Sequence, residues 1–180
     1  RLTGVDSGVA AFMKDESPQV RNEALCLLVG LKSRLAAPYL EPLLRSEKAT
    51  ERYRAIIDLH SVGAVDAVPK VLKLLADREC DIQHWAVWFL CQFDARDSAD
   101  EIYEQCVRGK PYDKTNPYIL SVLIKWGDGR AIPLAMQWLT NPELGNRSTM
   151  SDRLIEVGAK PIEICVIAFL TNSVPVATDV

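Results

Sequence analysis

The sequence predicts an all-α chain, a solenoid of about five helix pairs, and three observations carry that expectation. Apolar residues recur at three- and four-residue steps, as in Val68, Val71, Leu72 and Leu75, and not at alternate positions. Prolines recur at a near-constant interval, each leading into an apolar run. Glycines follow such runs at the complementary points. A helix pair of roughly 30 residues cannot bury its own apolar face, so neighbouring pairs must stack.

The prolines are Pro38 in AAPYLEPLL, Pro69 in AVPKVLKLL, Pro133 in AIPLAMQWL and Pro161 in AKPIEICVIAFL, separated by 31, 64 and 28 residues. The double step places a repeat without proline near Glu101, in DSADEIYEQC. Proline suits the first helical turn, where N–H groups have no intrahelical partner. Gly30, Gly63, Gly127 and Gly158 follow apolar runs, where a left-handed residue closes a helix most easily as glycine.

Second helices are expected to start at Ser17-Pro18, Thr50-Glu51, Asp81-Ile82 and Asn116-Pro117, where a side-chain oxygen can cap the first turn. Ser98 and Glu101 have capping-box spacing. The elements are therefore 8–14, 18–30, 36–45, 50–62, 66–76, 82–93, 98–109, 117–126, 130–140, 147–157 and 161–171. They form the pairs 8–30, 36–62, 66–93, 98–126 and 130–157, with an extra helix at 161–171, all within a single domain spanning 1–180. Residues 172–180 read as a loose tail or the start of a further repeat, and an unpaired apolar end there would favour self-association.

Composition sets limits on function. The chain has 180 residues, 48% apolar and 25% charged, with a formal charge of −3; these are values of a soluble globular protein. An acidic balance disfavours nucleic acid and anionic membranes as partners. No basic-then-apolar segment precedes the first repeat, which points to the cytoplasm. Cys26, Cys80, Cys91, Cys106 and Cys165 are widely spaced without a CxxC pair and read as reduced core thiols.

The run Val20-Arg21-Asn22-Glu23-Ala24-Leu25-Cys26-Leu27-Leu28-Val29-Gly30 resembles the VRxxAxxAL signature of the HEAT-like repeats, in the short form described from bilin lyases. Tyr53-Arg54 to Gly63 is a partial copy, and Gly127 to Pro133 is similar to that family's inter-helix turn. Gln83 replaces the arginine in the third copy, and Tyr118 takes its register in the fourth. The resemblance covers about residues 8–171 and implies a right-handed α–α superhelix. It specifies architecture more than activity, because the family includes scaffolds, lyases, hydroxylases and DNA glycosylases.

No catalytic, metal or cofactor residues are expected. His60 and His84 lack the His-Glu pairs of HEAT-like hydroxylases, and no nucleotide-binding or hydrolase motif is present. A HEAT-like glycosylase would match Trp85, Trp88, Trp126 and Trp138 but needs a basic groove, whereas residues 1–60 are nearly balanced in charge and the remainder is acidic.

Aligning second helices as Asn22/Glu23/Cys26, Ala55/Ile56/Leu59, His84/Trp85/Trp88 and Ile119/Leu120/Leu123 gives an expected concave face. On it, Ile56, Leu59, Trp85, Trp88, Leu120 and Leu123 would form an apolar ladder, with Arg54, His84 and Lys125 among its polar rim. The function expected is a protein interaction scaffold that binds a protein or peptide segment. The alternative implied by the resemblance is an enzyme similar to bilin lyases, holding a tetrapyrrole on the same face.

Overall fold

The computed structural model describes residues 4–110 and 116–140, and among these every regular element is helical. They fall into two compact units, divided between Ala95 and Arg96. The expected helices 147–157 and 161–171, the tail, Gly158, Pro161 and Cys165 lie outside the described residues.

The first unit opens with α1 (Val5–Ala11), which tightens into a 3₁₀ turn at Phe12–Lys14. Second helices α2 (Pro18–Gly30), α4 (Ala49–Ser61) and α6 (Cys80–Gln92) each span 13 residues. First helices are composite. A 3₁₀ turn at Arg34–Ala36 enters α3 (Ala37–Leu40) and leaves through Glu41–Arg45; Val65–Ala67, α5 (Val68–Val71) and Leu72–Ala76 repeat the arrangement. Pro38 and Pro69 sit in the first turn of α3 and α5, as the missing N–H requires. The second unit contains α7 (Ala99–Cys106), α8 (Pro117–Lys125) and α9 (Ile132–Thr140). Expected and observed boundaries differ by three residues or fewer throughout the described elements.

The core of the first unit is built from side chains 31 residues apart. Ala24, Ala55 and Ala86 recur at the inner face of α2, α4 and α6, and Leu28, Leu59 and Leu90 recur one turn later. Leu40 with Val71 and Leu44 with Leu75 answer them from the first helices, and none of these ten is more than 4% exposed. Alanine at the first layer lets helices approach closely. A fully buried leucine at the second contributes about 1.5–3 kcal/mol of transfer free energy.

The second helices of the first unit start on a shared hydrogen-bond pattern. Arg21 Nη1 donates to the carbonyls of Asp15 and Glu16 at 2.7 and 2.9 Å, and Arg52 Nη1 donates to those of Ser46 and Glu47 at 2.8 and 3.1 Å. Gln83 Nε2 reaches the equivalent Asp77 carbonyl at 2.7 Å. The glutamine thus preserves half of the arginine's backbone clamp. Side chains a few residues before the helix do much of the capping: Ser17, Lys48 and Glu79 donate their N–H groups to Asp15, Ser46 and Asp77. Ser17 and Asn116 also accept helical N–H groups as expected. Thr50 and Asp81 lie inside the first turn instead of capping it, and the Ser98 hydroxyl makes no cap bond.

Closures recur equally. Gly63 N–H bonds the His60 carbonyl and Ala64 N–H the Leu59 carbonyl, while Lys32, Asp94 and Gly127 occupy the same left-handed position in their helices. Gly30 ends α2 but is not its left-handed residue; Lys32 is, with φ of 53°. These closures make Leu123 of α8 the counterpart of Leu28, Leu59 and Leu90, each of which accepts from the residue after the left-handed one.

Candidate functional site

The clamp residues Arg21, Arg52 and Gln83 fix the register of the outward face of the second helices. Stepping by 31 from Asn22, Glu23 and Cys26 leads to Tyr53, Arg54 and Ile57, and then to His84, Trp85 and Trp88. Asn22, Glu23, Cys26, Tyr53 and Arg54 are exposed; Ile57, His84, Trp85 and Trp88 are half-buried. The expected ladder therefore needs correction on α4. Ile56 and Leu59 are fully buried, because the sequence alignment sets α4 two residues too far along. At 100° per residue that slip rotates the helix by about 200° and exchanges groove for core.

Leu120 and Leu123 on α8 are likewise fully buried, so they belong to the core of the second unit and present no side chain to a partner. Lys125 is exposed at the end of the same helix. Of the expected site residues, Arg54, His84, Trp85 and Trp88 are brought together on the α4–α6 face.

Those side chains form an aromatic cluster larger than the sequence alignment indicates. The Tyr53 and Trp85 rings lie 5.0 Å apart at 68°, and Trp85 meets Trp88 at 5.4 Å and 70°. Trp88 meets His60 at 4.6 Å and 65°, His60 meets Phe93 at 5.6 Å, and His84 stands edge-on to Trp85 at 5.6 Å. Edge-to-face pairs at such distances are favourable geometries worth about 0.5–1.5 kcal/mol each. They hold the rings in fixed positions on this face. Sequence reasoning misses Tyr53, His60 and Phe93; the 31-residue step from Asn22 is the signal that places Tyr53 on this face.

Burial holds the His60 imidazole below its usual pKa, favouring the neutral ring. Arg54 lies 3.4 Å from Asp58 and is otherwise open to solvent. Between the starts of α4 and α6 the face dips into a cleft of about 250 Å³, lined by Tyr53, Trp85 and the buried Ile82, with Glu79 and Asp81 at its edge. The equivalent face of α2 carries a shallow groove lined by Asn22, Glu23, Cys26 and Leu27. Cys26 and Cys80 are exposed, which corrects the expectation of core positions for both; Cys91 and Cys106 are buried.

Among the described residues no group of three or more His, Cys, Asp or Glu side chains converges as a metal site would require. None of the described helices is long and apolar enough to cross a membrane. No protein-family model matches the sequence, and comparison with curated proteins gives no match.

Proposed function

We propose that the chain is a HEAT-like helical solenoid acting as a protein interaction scaffold, and that the α4–α6 face receives a segment of a partner protein. The observation that carries this reading is the aromatic cluster of Tyr53, Trp85 and Trp88, held by ring contacts on the outward side of helices whose inner sides already fill the core. Tryptophan and tyrosine are frequent energetic anchors of interfaces, since they cover large area with few rotatable bonds. The 31-residue recurrence of clamp, core and closure supports the solenoid architecture. Exposed thiols at Cys26 and Cys80 agree with a reducing compartment such as the cytoplasm.

Site-specific photo-crosslinking tests the reading. A crosslinking amino acid placed at Tyr53 or Arg54 should capture one defined protein from the native lysate, and the same group at Lys73, on a first helix, should not. Equal capture from both positions, or from neither, would remove the α4–α6 face as the binding surface.

A further inference from the structure

The cleft between the starts of α4 and α6, lined by the touching rings of Tyr53 and Trp85, combines three features that select one chemistry. Two aromatic rings line it beside Ala49 and Thr50, together with the buried Ile82. Its edge carries the carboxylates of Glu79 and Asp81. The neighbouring acids are already occupied: Glu51 receives hydrogen bonds from Ser46 and Lys48, Asp77 is paired with Arg52, and Asp58 with Arg54. Asp81 has no ion-pair partner among the described residues. Among the described residues Glu79 pairs only with the exposed Arg78 at 3.8 Å, and that guanidinium is turned to donate to the Glu47 carbonyl.

We infer that this cleft takes the cationic side chain of a lysine or arginine in a partner protein segment; this rests on the reading of the α4–α6 face as the binding surface. A cation is attracted to aromatic faces and to both carboxylates, while its methylene stem can lie along Ile82 and the ring walls. An anionic side chain would meet like charge. A neutral apolar one would cover two carboxylates without compensating them, at a desolvation cost. The net charge of −3 also draws basic segments toward the chain. Glu79 and Asp81 flank the start of α6 and interact favourably with its dipole, so the test must separate a helix-stabilising role from recognition.

The probe is an array of immobilised peptides of randomised sequence, incubated with the intact chain and with variants checked for unchanged melting. Retained peptides should share a lysine or arginine at one position. Replacing that residue by glutamine should weaken binding about tenfold, as should the variant Glu79→Gln/Asp81→Asn. The control Asp97→Asn/Glu101→Gln, which removes the same charge elsewhere, should bind as the parent does. Retained peptides that show no basic preference yet are lost on Trp85→Ala would overturn the cation assignment and leave the binding face intact. Retention insensitive to Trp85→Ala, or no retention at all, would overturn both. Should Asp81→Asn lower the melting temperature, Glu79→Gln alone supplies the charge comparison: undiminished lysine selectivity there contradicts the assignment.

Discussion

Arg52 and Asp77 form a buried ion pair between successive repeats: Nη2 donates to Oδ1 at 2.8 Å, Nε lies 2.7 Å from Oδ2, and both side chains are less than a tenth exposed. The Nε contact has ion-pair distance without hydrogen-bond geometry. The same guanidinium holds the Ser46 and Glu47 carbonyls, and Asp77 also accepts the Glu79 N–H. One pair therefore ties the start of α4 to the start of α6. Removing either member strands a buried charge, so Arg52→Ala or Asp77→Ala should each cost about 3–5 kcal/mol in urea unfolding. The double variant should cost less than the sum. Arg21→Ala should cost only about 1 kcal/mol, because Arg21 makes the backbone clamp without a buried carboxylate.

Leu59 and Tyr53 test the corrected register of α4. Leu59→Ala opens a cavity in the core and should lower stability by about 2–5 kcal/mol. Tyr53→Ala removes a 39% exposed ring and should cost about 1 kcal/mol or less. The reverse order would favour the register in which Leu59 faces the groove.

The closing turns predict substitutions of opposite sign. Gly63 has φ of 70° and nothing within 4 Å of the place a Cβ would take, so Gly63→Ala should be destabilising by about 1 kcal/mol through backbone strain alone. Lys32→Gly relieves the same strain at φ 53° and should leave stability unchanged or raise it by up to about 1 kcal/mol. Thermal melting of the pair checks both signs.

His60 supplies a pH dependence. Its folded-state pKa lies below the ordinary value of about 6.5, so between the two values the unfolded chain binds the extra proton and folding is weakened. The contribution of His60 is fully present above about pH 6.5 and is lost as pH falls through the lowered value. His60→Phe should flatten the stability profile in that interval; an unchanged slope would show that His60 does not carry it.

Much of the fold is legible in the sequence because helix starts and stops carry local chemistry. Pro18, Pro38, Pro69 and Pro117 mark first turns, and Gly63 and Gly127 mark closures. The repeat without proline is also legible, although its equivalent position is Asp100 and not Glu101, one residue from the expected place. The face is less so. Apolar side chains on α4 occupy both the inner layer and its edges, and no capping oxygen at Thr50 fixes the start, so hydrophobicity alone leaves the rotation open. The recurring clamp, arginine or glutamine on the preceding carbonyls, settles it at Arg52. The partners of the rings are illegible for a different reason: His60, at the end of α4, meets both Trp88 and Phe93 of the following repeat, contacts that no sequence spacing announces.

The most direct test of the central claim is the affinity of the crosslinked partner for the Tyr53→Ala/Trp85→Ala variant, measured alongside its melting temperature. The α4–α6 face as binding surface predicts a loss of at least about tenfold in affinity with little change in melting. Parental affinity in a variant that melts normally would contradict it.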